Sequence, residues 1–461
     1  MAGWLPELAP GDGPKYAAIA RSLTADIEAG RLRPGQRLPA QRALAQALGI
    51  DLTTVTRAFN EVRRAGLIKA GPGRGSFVRA PSRSHLVGAR EAPLIDMSMN
   101  VPPCPPEARL PERLSEGVAR LMRSREARLH LTYQDSAGTA AVRNAGAHWT
   151  SERFGIPTDP MRVVVAPGAQ AALAAILKVA VPPGRTLCVP AATYPGLLAA
   201  AAQQACALAP IEMDRDGLVP DAFEAACRRV APAALYCVPT LDNPTTATLP
   251  LARREAIVRI ARAHGVAIIE DDAYGALAVE PPPAFAALAP DLTWHVATVS
   301  KCLTPSLRVA WVAAPSLTGA LDVSGTLRAA TMMASPVLAQ IAADWLLDGT
   351  LGQILQAIRH ETILRQALAG DILAGYDVAS HPEAYHLWLR LPPGWSGGDL
   401  AARAGLAGLA IVPDAAFSTM PGRGAVRVSL GAAPDRGKLA DGLRLIAALL
   451  ARPPSAMSAI V

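Results

Sequence analysis

Apolar side chains in the first 82 residues recur at the spacing of three consecutive helices. Ile19, Leu23 and Ile27 lie four residues apart and predict the first helix, and a second, short helix is predicted from about residue 39 to residue 48. Asp51 is of a residue type that caps helix N-termini, so a third helix is expected to begin directly after it. Because only a tight turn separates the second helix from the third, the pattern predicts a helix-turn-helix.

Two β-rich runs follow the third helix, at residues 67–69 and 76–78. The glycine-rich sequence Gly-Pro-Gly-Arg-Gly at 71–75 lies between them and favours a turn, so the three segments predict a β-hairpin with Arg74 at its basic tip. A hairpin in this place would form the wing of a winged helix-turn-helix. Residues 81–93 combine turn-forming residues with mixed charge and no periodicity, which predicts a linker.

From about residue 94 onward, short β-rich runs alternate with alanine-rich helical stretches. This alternation predicts an α/β domain in which helices cover a parallel sheet. We therefore expect a mostly α-helical winged helix-turn-helix domain over 1–80 and a large α/β domain over 94–455. The latter would have a large part at about 130–325 and a small C-terminal α+β part at about 345–455. In such sheets, ligands bind at the carboxyl ends of the strands.

Length and composition agree with this division into domains. The chain has 461 residues, of which 51% are hydrophobic, enough for two or three buried cores. No run of about 18 uncharged apolar residues could span a bilayer, and the N-terminus lacks the features of a secretory signal, so we expect no membrane association and a cytoplasmic location. The 6 cysteines show no CxxC or Cys/His spacing, and neither a metal site nor disulfides are expected.

The positive charge is concentrated near the N-terminus. Residues 1–82 contain twelve Lys and Arg against six Asp and Glu, whereas the whole chain has a net charge of +7. Such a basic excess suits a segment that binds a polyanion such as DNA. A solvated basic surface would have the same composition, so charge alone leaves both interpretations open.

The N-terminal segment resembles a known DNA-binding domain. The sequences GRLRPGQRLPAQRALAQALGI and VTRAFNEVRRAGLIKAGPGRGSFV are similar to the GntR-type winged helix over almost the whole segment. In such a domain the recognition helix enters the major groove, while Arg and Lys bind phosphates. Leu52 stands where members of this family commonly carry arginine, which removes one expected contact. The resemblance implies that the DNA-contacting residues are Arg42, Thr53, Thr54, Arg57 and Arg74.

Four motifs place polar residues after predicted strands of the large domain. The turn at 167–170 leads into a helix whose N-terminal N–H groups suit a phosphate. The order and spacing of the four motifs resemble the fold-type I aminotransferases, which implies pyridoxal 5'-phosphate (PLP) as the cofactor. The motifs are Pro167-Gly168-Ala169-Gln170, Asn243-Pro244-Thr245, Glu270-Asp271-Asp272-Ala273-Tyr274 and Ser300-Lys301, with Arg308 seven residues beyond the lysine.

The resemblance implies catalytic roles for Lys301, Asp271 and Tyr274. Lys301 would form the internal aldimine, which requires a neutral amine and hence a lowered lysine pKa. Asp271, which precedes the tyrosine by three residues as in the family, would pair with the pyridinium nitrogen and keep it protonated. Asn243 and Tyr274 would hydrogen-bond to the phenolic oxygen of the ring.

Further ligand contacts are implied around the phosphate, the ring and the substrate. Arg308 would bind the phosphate in a charge-assisted way, and Tyr194 would stack on the ring. Tyr133 matches a tyrosine that reaches the phosphate of a neighbouring subunit. Arg427 matches the arginine that binds a substrate α-carboxylate, although an edge-strand arginine without a ligand has the same local pattern. The other residues near the phosphate would be Ala169, Gln170, Thr298 and Ser300.

Together, the two resemblances are those of the MocR subfamily of GntR-type transcription regulators, in which a winged helix-turn-helix is fused to an aminotransferase-like domain. Tyr385-His386-Leu387-Trp388 is similar to the regulator branch, and Thr246 replaces the glycine expected after Asn-Pro-Thr. The family implies a head-to-tail homodimer that binds double-stranded operator DNA and senses PLP, an amino compound with a carboxylate or sulfonate, or both. Two alternatives stay open: a working amino acid aminotransferase, and a cofactor sensor without an amino ligand.

Overall fold

The structure is a computed structural model, and it describes residues 4–6, 14–28, 31–32, 36–64, 68–71, 75–78, 95–418 and 424–452. The chain divides into two compact units, Met1–Ala92 and Pro93–Val461. Each unit contains its own buried apolar core. Within the described ranges, no helix is long and apolar enough to cross a membrane.

The smaller unit combines three helices with an antiparallel hairpin. The hairpin pairs Ile68 with Val78, as predicted, and its tip, including Arg74, lies outside the described residues. Residues 36–38 pair with the second hairpin strand through hydrogen bonds of 2.9 Å. The elements are α1 (Lys15–Glu28), α2 (Gln41–Leu48), α3 (Leu52–Arg64), β1 (Ile68–Gly71) and β2 (Gly75–Val78).

The predicted helix-turn-helix is formed by α2 and α3. α2 ends at Gly49, whose φ of 62° lies in the left-handed region that favours glycine. Asp51 caps α3, because its carboxylate accepts a hydrogen bond from the backbone N–H of Thr53 at 2.7 Å. The apolar faces of the three helices then meet in one core, which includes Ile19, Leu23, Leu44, Val55, Phe59 and Val62.

The larger unit is an α/β structure. Its helices are α4 (Leu110–Arg123), α5 (Ala140–Phe154), α6 (Ala169–Ala180), α7 (Pro195–Gln203), α8 (Pro220–Val230), α9 (Leu251–His264), α10 (Phe285–Leu288), α11 (Leu317–Thr331), α12 (Pro336–Leu347), α13 (Thr350–Ile372), α14 (Gly397–Leu406) and α15 (Arg436–Leu450). Its strands are β3 (Ile95–Asp96), β4 (Val163–Ala166), β5 (Thr186–Pro190), β6 (Ala207–Ile211), β7 (Met213–Asp214), β8 (Gly217–Leu218), β9 (Ala234–Cys237), β10 (Ala267–Asp271), β11 (Thr293–Thr298), β12 (Ala310–Ala313), β13 (Asp377–Ser380), β14 (His386–Arg390), β15 (Leu409–Ala410), β16 (Val412–Pro413) and β17 (Ala425–Ser429).

A seven-stranded sheet with the order β4-β12-β11-β10-β9-β5-β6 forms the centre of this unit. The strands from β11 to β6 are parallel, as the alternating pattern predicted. β12 is antiparallel to both of its neighbours, so the sheet is mixed, where the alternating pattern predicted a parallel one. The physical reason is the connection from β11 to β12 at 299–309, which contains only turns and a short 3-10 helix, whereas a parallel strand needs a longer crossover.

A four-stranded antiparallel sheet, β13-β14-β17-β16, forms the C-terminal part together with α13, α14 and α15. This is the small α+β part that the sequence predicted. β3 pairs in parallel with β15, so the first strand after the predicted linker joins the C-terminal part. The segment 95–100 is thereby held beside the second sheet.

Candidate functional site

The candidate site lies at the carboxyl ends of β10 and β11, the edge at which α/β sheets bind ligands. Asp271 is the last residue of β10, Tyr274 follows in the next turn, and Lys301 lies three residues beyond β11. Arg427 on β17 comes from the C-terminal part and hydrogen-bonds to Asn243, which follows β9. The two sheets of the larger unit therefore contribute to one site.

Lys301 is largely buried, and its amine lies against the backbone. Nζ donates a hydrogen bond to the carbonyl oxygen of Asn100 at 2.6 Å. Burial lowers the pKa of Lys301 to about 8, and the positive charge of Arg427 acts in the same direction. A larger fraction of this amine is therefore neutral near physiological pH than of an ordinary lysine, as attack on a carbonyl group requires.

We expect the rate at which the cofactor-free chain bonds to added PLP to rise with pH and to level off above about pH 8. Only the neutral amine of Lys301 attacks, and its neutral fraction grows until the pH exceeds its pKa. A lysine with the ordinary pKa of about 10.4 would still gain reactivity at pH 10. Stopped-flow absorbance across this range measures the rate, and a profile that climbs steadily through pH 10 would contradict the burial of this amine.

Asp271 is buried, with one carboxylate oxygen in use and the other free. Its Oδ2 accepts a hydrogen bond from the hydroxyl of Tyr236 at 2.9 Å, whereas Oδ1 has no partner among the described residues. Burial raises the pKa of Asp271 to about 6, and the hydrogen bond from Tyr236 opposes this only in part. An unpaired buried acceptor costs free energy until a donor reaches it, so Oδ1 suits a buried N–H group such as a protonated ring nitrogen.

The neighbouring Asp272 lies in a different environment. Its Oδ2 accepts a hydrogen bond from Nε of Arg153 at 2.7 Å and lies 3.2 Å from Nε2 of His295. Burial disfavours the charge of Asp272, but Arg153 and His295 outweigh burial and hold the pKa of this carboxyl below its usual range. Asp272 is therefore engaged in an internal ion pair through Oδ2, although its Oδ1, like that of Asp271, has no partner among the described residues. Asp271, which forms no such ion pair, is the better candidate for a ligand.

The turn before α6 and the segment after Lys301 meet at the predicted phosphate end. Gly168 has a φ of 92°, and a Cβ at this position would lie 3.0 Å from the guanidinium carbon of Arg308, so glycine permits the close approach. Ala169 is the first residue of α6, whose first turn carries no acidic side chain. Thr298 and Ser300 are buried, and the hydroxyl of Thr298 donates a hydrogen bond to the hydroxyl oxygen of Ser300 at 3.1 Å. Helix N–H groups and an arginine are thus within reach of one anion.

Gln170 and Tyr194 both pack against Gly196. Nε2 of Gln170 donates to the carbonyl oxygen of Gly196 at 2.7 Å, whereas its Oε1 is buried and unpaired among the described residues. Tyr194 is the N-cap residue of α7, and burial raises the pKa of its hydroxyl. A Cβ on Gly196 would lie 2.4 Å from the tyrosine ring, so the glycine lets that ring approach the helix start.

Arg427 is buried and only partly paired. Nη1 donates to Oδ1 of Asn243 at 2.9 Å, and Nη2 donates to the carbonyl oxygen of Ser98. Its Nε is buried and has no partner among the described residues, and burial lowers its pKa. β17 lies between β14 and β16, so the alternative of an edge-strand arginine was wrong. A buried guanidinium with a free donor suits a carboxylate.

Thr246, which replaces the expected glycine, has a φ of 64°. This left-handed conformation favours glycine, and a threonine there carries strain of about 1–2 kcal/mol. Its backbone N–H donates to the carbonyl oxygen of Asp242 at 2.7 Å, which keeps the turn closed. The turn that presents Asn243 is therefore retained without the glycine.

Three residues to which the motifs assigned no role also reach the site: Asn100, Tyr236 and His386. Nδ2 of Asn100 donates to the hydroxyl of Tyr274 at 3.0 Å and lies 3.3 Å from Nδ1 of His386. The role of Tyr236 could have been suspected from the sequence, because a tyrosine within an apolar buried strand needs a hydrogen-bond partner. The role of Asn100 could not, since its partner Tyr274 is 174 positions away.

Tyr133 does not join the site of its own chain. Its side chain is 79% exposed, at a groove of about 430 Å³. Its contact with the phosphate of a neighbouring subunit stays a prediction. The other residues that line this groove are Gln134, Asp135, Ser136, Arg328 and Met332.

The residues of the site fit PLP. An amine with a lowered pKa, a buried carboxylate oxygen without a partner, and a helix start beside an arginine match the aldehyde, ring nitrogen and phosphate of this cofactor. In the part of the chain that the structure describes, no group of three or more His, Cys, Asp or Glu residues is placed to hold a metal ion.

The predicted DNA-contacting side chains lie on α2 and α3 of the smaller unit. The guanidinium of Arg57 stacks 3.9 Å from the ring centre of Tyr16, which holds it in one place although it is exposed. Leu52 is 36% exposed at the start of α3. The predicted residues within the described ranges are Arg42, Thr53, Thr54 and Arg57.

Comparison with known proteins extends these findings to the whole chain. Residues 92–446 match the family aminotransferase class I and II, and residues 15–78 match the bacterial regulatory proteins of the gntR family. The chain is 31% identical over 453 residues to YdeF of Bacillus subtilis strain 168, an uncharacterized HTH-type transcriptional regulator, with 97% of this chain and 96% of YdeF covered. It is 27% identical over 354 residues to PdxR of Corynebacterium glutamicum, an HTH-type pyridoxine biosynthesis transcriptional regulator, with 75% and 76% covered.

A solved structure supports the fold. LysN, the α-aminoadipate aminotransferase of Thermus thermophilus, complexed with N-(5'-phosphopyridoxyl)-L-leucine, shares the fold with a TM-score of 0.72 and 24% identity, covering 87% of this chain and 98% of that chain. The larger unit is thus a class I and II aminotransferase domain, whose cofactor is PLP. With its gntR-family region, the chain belongs to the MocR-type transcription regulators, as its motifs predicted.

Proposed function

We propose that this chain regulates transcription by binding operator DNA through its smaller unit, in response to PLP, an amino compound, or both, held by its larger unit. The observation that carries the proposal is one site that unites Lys301, Asp271 and Arg427 in a chain with a gntR-family region. A bacterial regulator of this kind acts in the cytoplasm, where it meets the chromosome.

Each predicted cofactor residue has a task in this proposal. When bound, PLP supplies an aldehyde that reacts with amines and a ring that withdraws electrons. Lys301 provides the amine that holds it, and Asp271 keeps a proton on the ring nitrogen through Oδ1. Asn243, whose Oδ1 is taken by Arg427, offers its Nδ2 to the phenolic oxygen, as Tyr274 offers its hydroxyl. The remaining contacts are those of Tyr194 with the ring and of Ala169, Gln170, Thr298, Ser300 and Arg308 with the phosphate.

Arg427 defines the class of effector. Its free donor lies in the same site as Lys301, where the aldehyde of PLP would be held, so a ligand that reacts with this aldehyde and pairs with Arg427 must carry an amine and an acidic group. A carboxylate or a sulfonate would satisfy the guanidinium. In a sensor of the cofactor alone, Nε of this buried arginine would remain without a partner. For such a sensor, added amino compounds would leave the affinity for DNA unchanged.

We propose a head-to-tail homodimer, whose two smaller units bind two half-sites of the operator. The exposure of Tyr133 supports its predicted contact with the partner's phosphate. Tyr133→Phe chains should bind PLP more weakly, and mixing them with Lys301→Ala chains should restore tight binding in hybrid dimers, where the intact lysine meets an intact tyrosine. If mixing restores nothing, Tyr133 acts within its own subunit or not at all.

Leu52→Arg is expected to strengthen the binding of duplex DNA at low salt and to steepen the salt dependence by about one phosphate contact, a change of roughly 0.9 in the slope of log K against log salt. Leu52 is exposed at the start of α3, where the resemblance to the GntR-type domain implies an arginine, and a guanidinium there would reach a phosphate. Fluorescence anisotropy over a salt series measures the slope. Leu52→Gln, similar in length but uncharged, is the matched control, and equal slopes for both variants would refute the contact.

The regulatory function is tested by footprinting the intergenic DNA beside the chain's own gene, with and without PLP. We expect a protected site whose occupancy changes when PLP or an amino compound is added, because a ligand that binds the DNA-binding and non-binding states unequally shifts their populations. No protected site under any of these conditions would refute the proposal.

The lowered pKa of Lys301 beside Asp271 favours a second function, an amino acid aminotransferase. A working enzyme should convert bound PLP to its amine form when an amino acid is added, and a 2-oxo acid should reverse the change. Single-turnover absorbance separates the two functions. A series of amino acids that never produces the amine form eliminates the enzyme and leaves the regulator.

A further inference from the structure

The Tyr-His-Leu-Trp motif at the start of β14 contributes a residue that the proposed function does not use. We infer that His386, acting through Asn100, orients the hydroxyl of Tyr274 so that its proton is donated to the phenolic oxygen of PLP. His386 and Asn100 are then positioning residues, because they act through Tyr274. The inference rests on the proposed function, since it requires PLP in this site.

The first step is to establish the protonation state of His386. Its Nε2 lies 2.9 Å from the backbone oxygen of Asp242, and because a carbonyl oxygen only accepts, Nε2 carries the hydrogen. His386 is fully buried; burial lowers its pKa to about 3, and the positive charges of Arg427 and Lys301, which face it from β17 and from the segment after β11, act in the same direction. The ring is therefore neutral, and Nδ1 has a lone pair that accepts.

The second step is the orientation of the Asn100 amide. Nδ1 of His386 lies 3.3 Å from the amide nitrogen and needs a donor, so the NH₂ group must point toward it. The same nitrogen donates to the hydroxyl of Tyr274 at 3.0 Å. Oδ1 of Asn100 is left buried, with no partner among the described residues. Leaving this buried oxygen without a donor costs free energy, and the two hydrogen bonds donated by the amide, to His386 and to Tyr274, offset that cost.

The third step concerns the proton of Tyr274. Its hydroxyl accepts from Asn100, so its own hydrogen is available to another acceptor. Burial raises the pKa of Tyr274, so the hydroxyl keeps that hydrogen. The phenolic oxygen is the acceptor that the proposed site provides. Without His386, the amide of Asn100 is free to turn over. Its Oδ1 would then accept the hydrogen bond from the hydroxyl of Tyr274, which would no longer donate to the phenolic oxygen.

This arrangement has a spectroscopic consequence. A hydrogen bond from Tyr274 draws charge from the phenolic oxygen, which also stabilises the proton on the nitrogen of the linked Lys301. Donation by Tyr274 therefore lowers the pH at which that nitrogen loses its proton. Removing His386 should raise this pH, and the change should require Tyr274.

The test is a pH titration of the absorbance of the PLP-loaded full chain. Tyr274→Phe should raise the midpoint by about one to two pH units, as expected for one hydrogen bond to a charged oxygen. His386→Phe should raise it by roughly half a unit to one unit, a partial loss of the same bond. The double variant should match Tyr274→Phe, because His386 acts only through the tyrosine.

Two further variants sharpen the result. His386→Asn keeps an acceptor in the place of Nδ1 and should retain the native midpoint. Asn100→Leu removes the amide oxygen that would compete for the hydrogen of Tyr274, so adding His386→Phe to Asn100→Leu should cause no further shift. His386→Leu, which also lacks an acceptor, decides the matter if His386→Phe does not fold. A native midpoint in His386→Phe, a further shift when His386→Phe is added to Asn100→Leu, or additive shifts in the double variant with Tyr274→Phe, would overturn the inference. A native chain without any titrating absorbance would instead refute the PLP site itself.

Discussion

Replacing Lys301 by alanine is expected to abolish the covalent attachment of PLP and the absorbance of the lysine-linked cofactor. The amine of Lys301 lies in the site, within 2.6 Å of the carbonyl oxygen of Asn100 and close enough to Asp271 for their charges to interact. Borohydride reduction followed by peptide mapping measures the attachment: the native chain should be labelled at Lys301 and the variant nowhere. The other lysines of the chain are Lys15, Lys69, Lys178 and Lys438.

Two control variants separate loss of the amine from loss of the fold. Lys301→Met keeps an unbranched side chain of similar length without the amine, so it should fold as the native chain does and still fail to be labelled. Lys178→Ala removes an exposed lysine on α6 and should leave the labelling unchanged. A reduced adduct on any lysine of the Lys301→Ala chain that depends on folded protein would place the attachment elsewhere.

The same variant also connects the site to DNA binding. Lys301→Ala leaves Arg308, the start of α6 and Asp271 in place, so PLP should still bind, although without a covalent bond. If DNA binding responds to occupancy alone, the variant should still respond at higher PLP concentrations. If it responds to the covalent bond, footprints of the variant should be identical with and without PLP.

The elements that the sequence predicted correctly are those set by local physics. The helix spacing of Ile19 and Leu23, the capping carboxylate of Asp51 and the pairing of 68–71 with 75–78 depend on residues close in sequence, and all appear in the structure. The motif residues of the larger unit were assigned from their resemblance to the fold-type I aminotransferases, and several of them follow strands, where the ends of parallel strands meet. In these cases, residues close in sequence determine the local structure.

What the sequence did not predict depends on contacts between distant residues. The placement of β12 beside β4 joins residues of distant parts of the chain, and the pairing of β3 with β15 joins residues more than 300 positions apart. Asn100 and Tyr236 acquire their roles only where other strands bring Tyr274 and Asp271 to them. A side chain without local periodicity shows nothing of such partners before folding.

Asp271→Asn is expected to weaken PLP binding by about 100-fold or more, roughly 3 kcal/mol, because it removes one partner of a buried ion pair. The free Oδ1 of Asp271 is the acceptor proposed for the protonated ring nitrogen, and an uncharged amide cannot hold that proton. The pH dependence has a definite sign. Burial raises the pKa of Asp271 to about 6, so PLP affinity of the native chain should fall as the pH drops through 6 and the carboxylate is neutralised. The variant should lack this step. Equilibrium titration of the cofactor-free chain measures both effects.

Asp272→Asn is the matched control, because it makes the same chemical change one residue away. Asp272 pairs with Arg153 and His295, so its loss leaves a partly buried arginine without its carboxylate and should reduce the free energy of unfolding by about 3–5 kcal/mol. Its effect on PLP affinity, measured on folded protein, should stay below about tenfold, or 1.4 kcal/mol. The two variants therefore affect different quantities: Asp271→Asn lowers the affinity for PLP, and Asp272→Asn lowers the free energy of unfolding. If Asp272→Asn instead abolished the pH-dependent binding while Asp271→Asn retained it, the ring nitrogen would face the second carboxylate, and the free oxygen of Asp271 would need another partner.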